Sequence, residues 1–474
     1  MQAEPNAAKP ASADDQRDKP ADKQQGKPKE NKAATAAKED KEEEHKPADP
    51  DTGKSTLSND TLGLLPNEKQ GIKFTLSTIE EILSNVSGGL KRGAVYDGRT
   101  NFAVDLDLDK LAGRKGLLFH ANAFQIHGRQ FSRDYVGNLM TASSIEAQAT
   151  TRLYEAWFEQ KFFNDKWSIR AGQLAADTEF ITTRFSDAFI NSTYGWPAIF
   201  GVNMPSGGPS PPLAAVGARV KAELNEHVTA LAAIFNGDPA GPGADDPQSR
   251  NRYGLNFRVN DPPLMIGEVQ YAYNQEKHAK GLPGTIKFGG WYHTGLFSDQ
   301  RLSANGLSQA DPAAAATPLQ HRGDYGLYGV AEQQLVHFTG SDAARGIGVF
   351  VRASGSPSDR NLIDFYADGG IEVIGPSEQR PHDKIGLGLA YARISDAARA
   401  LDRDYQVLTG STRPIRNYEA LVALSYLLEI RTGWTLHPTL QYIVHPGGGY
   451  VTPDGIPTVV KNAVVLGLRT VVKF

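Results

Sequence analysis

Residues 418–444, YEALVALSYLLEIRTGWTLHPTLQYIV, contain two segments in which apolar and polar side chains alternate. The even-numbered positions form one apolar face, made of Tyr418, Ala420, Val422, Leu424, Tyr426, Leu428, Trp434, Leu436, Pro438, Leu440, Tyr442 and Val444. Successive side chains of a β-strand point to opposite faces, so this period of two predicts two strands, each with one apolar face. A soluble antiparallel sheet alternates in the same way, and the pattern alone leaves both environments open.

The connection between the two segments must keep the apolar face continuous. A three-residue turn at residues 431–433 does so, because Gly433 can adopt the left-handed conformation that such turns need. The predicted cross-strand pairs are Ile430–Trp434, Leu428–Leu436, Leu427–His437, Ser425–Thr439 and Ala423–Gln441. The hairpin then has aromatic residues toward both ends of its apolar face and hydrogen-bonding groups on the other face. This arrangement is typical of a barrel strand pair with lipid outside and water inside.

The chain ends in a further alternating segment, residues 462–474. Leu466, Leu468 and the terminal Phe474 fall on one face, whereas Arg469 and Lys473 fall on the other. An apolar face that ends in a terminal aromatic residue predicts the closing strand of a barrel. The alternative is a soluble β-domain whose last strand ends in Phe474.

Composition limits the class of protein. The chain has 474 residues, of which 40% are hydrophobic, and it contains no apolar run of about 18 residues that could form a membrane-spanning helix. A barrel strand escapes this criterion because only every second residue faces lipid. The absence of cysteine excludes disulfides and thiolate metal sites. The net charge of -4 gives no basic footprint for nucleic acid, and no motif calls for a cofactor.

The amino-terminal segment differs from the rest of the chain. Residues 1–56 contain no Leu, Ile, Val or aromatic residue, so they cannot bury enough apolar surface to offset the entropy of ordering them. We predict a disordered periplasmic extension at 1–56, a linker at 57–70 and a barrel at 71–474. The extension is interpreted as a solvated spacer, with a tether to peptidoglycan or to a periplasmic partner as the alternative.

A second hairpin is predicted at residues 152–172. A turn at Asn164 and Asp165 sets its register, and the predicted pairs are Phe162–Trp167, Gln160–Ile169, Phe158–Ala171 and Glu159–Arg170. An arginine on the lipid face near the membrane midplane would cost about 2–4 kcal/mol. The face that carries Glu159 and Arg170 is therefore expected to line the lumen.

Between the two hairpins, regularity is lost at residues 177–212, which include a Pro-rich run at 205–212 that a central strand would not tolerate. Further strands are predicted at 214–224, 228–236, 252–259, 268–274, 286–297, 324–333, 346–353, 365–373 and 385–393. Long connections at 237–250, 298–322 and 394–417 alternate with short ones, as expected for a membrane barrel.

Several segments together resemble one protein family. They are residues 153–174 (LYEAWFEQKFFNDKWSIRAGQL), 194–197 (YGWP), 215–217 (AVG), 235–239 (FNGDP), 440–448 (LQYIVHPGG) and 463–474. Their joint occurrence in this order resembles the carbohydrate-selective porins of Gram-negative outer membranes, the OprB-like porins. The resemblance implies an all-β closed antiparallel barrel of sixteen strands, with a narrowed pore that passes monosaccharides by diffusion. We keep eighteen strands as the alternative, and we expect no enzymatic activity, because a pore needs no catalytic group. Whether the barrel is a monomer or a homotrimer stays open.

A pore that selects sugars needs charged or amide side chains beside an aromatic residue, because sugars offer hydroxyls and an apolar C–H face. The candidate pore-lining residues are Glu155, Glu159, Arg170, Asp177, Glu179, Arg184, Asp187, Trp196, His437 and Gln441, with Tyr194 near Trp196. For Glu159 and Arg170 the alternative is a wet ion pair worth about 0–1 kcal/mol. No metal site is predicted, because His437 and His445 lie too far apart on one strand face. The alternative functions are a general porin and a structural barrel tethered through its amino-terminal extension.

Overall fold

A computed structural model of the protein describes residues 70–276, 279–338, 345–451 and 457–474. The predicted extension at 1–56, and the linker up to residue 69, lie outside the described residues.

Sixteen antiparallel strands form a closed barrel, which confirms the preferred strand number. They are β1 (Ile72–Gly89), β2 (Gly93–Asp107), β3 (Leu117–His127), β4 (Thr150–Phe162), β5 (Trp167–Leu174), β6 (Ala215–Glu223), β7 (Val228–Asn236), β8 (Pro263–Tyr273), β9 (Gly284–Ser303), β10 (Pro318–His337), β11 (Gly346–Gly355), β12 (Ile363–Ile374), β13 (Lys384–Ile394), β14 (Tyr418–Arg431), β15 (Trp434–Val444) and β18 (Lys461–Lys473). From β1 to β15 each strand pairs with the next strand in the chain, β15 pairs with β18, and β18 closes the barrel against β1. The short strands β16 (Tyr450–Val451) and β17 (Thr458–Val459) form a separate two-stranded sheet.

Helices are short and lie in the connections. They are α1 (Leu108–Ala112), α2 (Ala198–Asn203), α3 (Pro247–Arg250) and α4 (Asp396–Thr409), with a π-helical turn at Ser132–Val136 and 3-10 turns at Ser192–Tyr194, Pro205–Gly207 and Pro446–Gly448. In the part of the chain that the structure describes, no helix is long and apolar enough to cross a membrane.

The connections differ at the two ends of the barrel. One end, where β1 begins and β18 ends, carries short turns such as 163–166, 224–227 and 432–433. The opposite end carries the long connections, at 128–149, 175–214, 237–262, 304–317 and 395–417. Outer-membrane barrels have short periplasmic turns and longer extracellular loops, so the sequence-based expectation of alternating lengths is confirmed.

The register of the second hairpin agrees with the prediction. Glu159 lies opposite Arg170, and Phe162 lies opposite Trp167. The carboxy-terminal hairpin agrees in its body, where Leu428 lies opposite Leu436. The predicted three-residue turn is wrong, because Arg431 rather than Ile430 lies opposite Trp434.

The end of this hairpin explains the difference. An irregularity between Glu429 and Arg431 absorbs one residue and leaves a two-residue turn at 432–433. Gly433 has a φ of 78°, the left-handed conformation expected for it.

The predicted strand at residues 252–259 is also wrong. Residues 252–254 form a turn and residues 255–259 have no regular secondary structure, and the segment belongs to the long connection between β7 and β8 and to no ladder of the barrel. The reason is that alternation reports which side chains face an apolar environment, and it does not report whether the backbone has strand neighbours on both sides.

The apolar core lies inside the barrel. The connections 128–149 and 175–214 fold inward, and their buried side chains, such as Phe131 and Phe185, belong to one cluster with inward-facing wall residues such as Tyr328 and Phe350. The outward face of the wall keeps its apolar side chains exposed, as at Leu389. The connection 175–214, called the inward loop below, therefore packs against the inner face of the wall.

Candidate functional site

Four charged side chains meet where the inward loop contacts the wall. Glu159 on β4, Arg170 on β5 and Arg219 on β6 lie opposite one another on adjacent strands, and Glu179 reaches them from the inward loop. Arg170 donates to Glu159 at 3.1 Å and pairs with Glu179 at 2.7 Å. Arg219 donates to Glu159 at 2.8 Å and to Glu179 at 2.9 Å. The two guanidinium groups thus share two carboxylates, and this four-charge cluster is neutral overall.

The cluster keeps a partial opening to solvent. The side chains of Arg170 and Glu179 are 14% and 16% exposed, whereas that of Arg219 is 4% exposed. Polar groups that are paired and still partly exposed can exchange a protein partner for a solute hydroxyl at small cost.

Aromatic rings support one side of the cluster. The Arg170 guanidinium lies 3.8 Å from the centre of the Trp157 ring, a cation–π distance. Trp157 stacks on His120 with ring centres 4.9 Å apart, and His120 Nδ1 lies 2.7 Å from an Asp105 carboxylate oxygen. This chain of contacts fixes the direction in which Arg170 points.

The inward loop is held by its backbone. Three wall carboxylates accept hydrogen bonds from loop N–H groups: Glu268 from Ile181 at 2.7 Å, Glu332 from Arg184 at 2.8 Å and Glu372 from Ala188 at 3.2 Å. Two wall cations donate to loop carbonyls: Lys287 to Thr182 at 2.8 Å and Arg352 to Ile181 at 3.0 Å. We call these five side chains the wall anchors.

The wall anchors lie on five consecutive strands, β8 to β12, and their charges alternate in sign from one strand to the next. All five are buried. A buried charge is costly unless it is paired or hydrogen-bonded, and the backbone groups of the loop supply partners of the required polarity. This match between the wall charges and the loop backbone groups determines the path of the loop over the wall.

A second charged group lies further along the loop. Asp187 contacts the Lys384 ammonium group, which also lies 3.7 Å from Glu372. Arg184 is half-buried, and its guanidinium lies 4.9 Å from the Phe185 ring centre. Within the described ranges Arg184 makes no ion pair.

The remaining candidates have other positions. Glu155 is buried and accepts a hydrogen bond from Ala175 N–H at 3.0 Å, at the start of the inward loop. Asp177 is half-buried in the same loop. Gln441 is fully buried and joins two loops, accepting from Asn191 at 2.9 Å and donating to the Ala142 carbonyl at 2.8 Å.

Two aromatic candidates pack within the interior. Trp196 donates to the Gly207 carbonyl at 3.0 Å and packs on Phe200, with ring centres 4.6 Å apart. Tyr194 is buried and stacks on Phe189 at 4.4 Å. His437 is also buried and contacts the Thr435 hydroxyl at 2.9 Å. These contacts give the three residues structural partners away from the four-charge cluster, and we leave them out of the proposed sugar site.

The inward connection 128–149 contains a carboxyl group with a displaced pKa. Glu146 accepts hydrogen bonds from the backbone N–H and the hydroxyl of Ser132, the latter at 2.9 Å. Burial raises the pKa of Glu146 to about 8 despite these two donors. The group is therefore protonated in the folded protein over a range in which an ordinary glutamate is charged.

Sequence reasoning missed Arg219 and the wall anchors. Arg219 is separated from β5 by the inward loop, so no short turn sets its register. Two wall anchors left a signal in the sequence: Glu268 and Arg352 are each the single charged residue of a largely apolar strand. Across the described ranges, no group of three or more His, Cys, Asp or Glu side chains is placed to hold a metal ion.

Comparisons with known proteins agree with this architecture. Residues 91–474 match the family described as "Carbohydrate-selective porin, OprB family". The chain is 24% identical over 422 residues to Porin B of Pseudomonas aeruginosa, covering 85% of this chain and 87% of that protein. It is also 24% identical over 424 residues to the putative porin QuiX of Acinetobacter baylyi, covering 80% and 86%.

Solved structures show the same fold. The high-pH structure of Pseudomonas putida OprB is 24% identical, has a TM-score of 0.73, and the match covers 85% of this chain and 94% of that one. The low-pH structure of the same protein is 19% identical with a TM-score of 0.51. A family match over most of the barrel, together with the closed sixteen-stranded fold, identifies the chain as an outer-membrane channel that belongs to the OprB family of carbohydrate-selective porins.

Proposed function

We propose that this porin passes monosaccharides and related small sugars through a lumen narrowed by the inward loop, and that the four-charge cluster lines the narrow part. The observation that carries the proposal is the cluster itself, which joins wall and loop and presents partly exposed Arg170 and Glu179 to the lumen. A neutral set of paired donors and acceptors suits hydroxyls better than ions, since it offers hydrogen bonds without a net attraction for either sign of charge.

Arg184 extends this proposed site along the loop. Its guanidinium has five N–H donors in a fixed fork, which suits two neighbouring sugar hydroxyls, and it has no ionic partner in the described part of the chain. Asp187 and Lys384 lie beside it on the loop and the wall. Transport requires weak binding, because a solute must leave as readily as it enters. A millimolar dissociation constant corresponds to about 4 kcal/mol.

Liposome swelling tests the proposal. Vesicles that contain the purified porin are placed in isotonic glucose, a disaccharide, or a charged sugar acid of similar size. We expect the fastest swelling with glucose. Equal rates for all three solutes would favour a general porin, and no swelling would favour a structural barrel.

The location of the amino-terminal extension is proposed on separate grounds. Ile72, the first residue of β1, lies opposite Leu106 near the end of the barrel that carries the short turns. Residues 1–56 would therefore lie on the periplasmic side of the membrane. Protease treatment of intact cells should spare the extension, and treatment of permeabilised cells should remove it. Co-sedimentation with purified peptidoglycan distinguishes a tether from a spacer, and native mass spectrometry in detergent distinguishes a monomer from a homotrimer.

A further inference from the structure

The barrel wall is short along the barrel axis at three neighbouring strands. β5, β6 and β7 contain 8, 9 and 9 residues, whereas β9 and β10 contain 20 each. A strand needs about 9–11 residues to cross a membrane. β5 falls below this range and β6 and β7 stand at its lower limit, so the wall reaches less far toward the long-loop end at these three strands than at β9 and β10.

Residues 252–259, called the strap below, lie beside this shorter part of the wall. At one end, the Tyr253 carbonyl accepts a hydrogen bond from Leu153 N–H on β4 at 3.0 Å. Gln173, near the end of β5, donates to the Gly254 carbonyl at 3.1 Å. At the other end, Arg258 pairs with Asp261 at 2.6 Å, and Asp261 N–H bonds to the Asn236 side chain at the end of β7.

The strap lies level with wall residues whose side chains are on the outward face of the barrel. Leu153 lies opposite Ala123, and Ala123 lies opposite Phe102, a half-exposed residue within the outward face of β2. Gly254 lies against β4 so closely that a Cβ atom there would be 1.8 Å from the Leu153 carbonyl oxygen. The strap thus takes the position that a longer β5 would occupy beside β4.

Its apolar side chains point away from the protein. The exposed fractions are 60% for Tyr253, 61% for Leu255, 50% for Phe257 and 68% for Val259. These values match the lipid-facing wall, where Leu389 on β13 is 57% exposed. Four large apolar residues exposed at alternate positions of one segment are unusual on a surface in contact with water.

We propose that the strap is part of the membrane-facing wall and that Tyr253, Leu255, Phe257 and Val259 contact lipid acyl chains in the half of the bilayer nearer the long loops. Lipid is the occupant because the strap is continuous with the lipid-facing face of β4 at Leu153. The inference is independent of which solute passes through the lumen.

Single-cysteine labelling in lipid vesicles tests this, and the chain contains no natural cysteine. A nitroxide is attached at Leu255→Cys or Phe257→Cys, and its collision rates are measured with oxygen, which dissolves in lipid, and with a water-soluble nickel chelate. Leu389→Cys serves as the lipid control. Val407→Cys on α4, where the residue is 80% exposed, serves as the water control.

The ratio of oxygen to nickel collisions at both strap positions should equal that at Leu389 and exceed that at Val407 several-fold. A ratio equal to that at Val407 would place the strap in water and overturn the proposal. Low collision rates with both reagents would also overturn it, because they would mean that a second protein chain covers the strap. Heat-modifiable migration in gels verifies that each variant is folded, and Tyr253→Cys and Val259→Cys replace either variant that fails.

Discussion

The carboxylate of Glu268 accepts a hydrogen bond of 2.7 Å from the backbone N–H of Ile181, a β-branched residue whose φ is 57°. A β-branched residue in the left-handed region costs on the order of 1–3 kcal/mol. The structure holds this conformation from both sides, since Arg352 donates to the Ile181 carbonyl. The wall thus imposes a bend on the inward loop that the loop sequence itself disfavours.

Removing this contact should release the bend. In Glu268→Ala, the Ile181 N–H loses its acceptor, a cost of about 1–3 kcal/mol for a buried donor, and the loop should leave its narrow path. We expect larger and noisier single-channel currents in planar bilayers, with unchanged heat-modifiable migration. Glu223→Ala is the matched control, because Glu223 is a half-exposed glutamate at the end of β6. Quiet currents of normal size in Glu268→Ala would show that the other wall anchors suffice to hold the inward loop in place.

Changing one charge of the four-charge cluster should change ion selectivity. Arg170→Ala leaves the cluster with a net negative charge and should favour cations, whereas Glu159→Gln leaves a net positive charge and should favour anions. One charge acting on an ion about 8 Å away in water-like surroundings contributes about 0.5 kcal/mol, roughly a twofold change in the permeability ratio.

Reversal potentials across a salt gradient measure this effect. Both shifts should shrink as salt rises, because screening acts over about 10 Å at 0.1 M. Arg403→Ala, an exposed change on α4, should leave the reversal potential unaltered. Unchanged potentials in both cluster variants would place the cluster away from the narrow part of the pore.

Loss of Arg184 should weaken sugar binding. A hydrogen bond to a charged group contributes about 1.5–3 kcal/mol, so Arg184→Ala should raise the dissociation constant for glucose about tenfold or more. The reduction of ion current by added glucose gives this constant directly. Arg184→Lys keeps the charge without the fork of donors and should recover only part of the affinity. Wild-type affinity in Arg184→Ala would remove this residue from the sugar site.

Because of Glu146, the free energy of unfolding should decrease as pH rises. Its pKa is raised from 4.5 to about 8 by burial, so its contribution is fully present below pH 4.5 and is lost as pH rises through 8. Glu146→Gln stays uncharged and keeps an acceptor for Ser132. The melting temperature of the wild type, relative to that of Glu146→Gln, should therefore decrease between pH 4.5 and 8. A constant difference across this range would contradict the raised pKa.

The sequence predicted the fold well where local geometry sets the register. The turn near Asn164 and Asp165 determines every pair between β4 and β5, so Glu159 and Arg170 were correctly placed opposite each other. Periodicity failed at residues 252–259, where the apolar face is real but the segment has no strand ladder. Side-chain alternation carries no information about backbone hydrogen bonds.

The candidate site was only partly predictable for a related reason. Arg219 joins the cluster from β6, beyond the forty-residue inward loop in which Glu179 lies, and no local rule fixes where such a loop returns. Trp196 is a candidate because aromatic rings suit sugars, and the same apolar surface also suits packing, as its contact with Phe200 illustrates.

The wall anchors bind the inward loop mainly through its N–H and C=O groups, which every residue type except proline provides in full. Two of them also contact the hydroxyls of Thr182 and Thr183. Exchange of the side chain at Arg184, which no wall anchor contacts, therefore leaves the attachment points intact. Side chains of the loop that the wall anchors do not contact can therefore change while the position of the loop on the wall stays the same. Solute preference in such a barrel can diverge by single substitutions without rebuilding the scaffold.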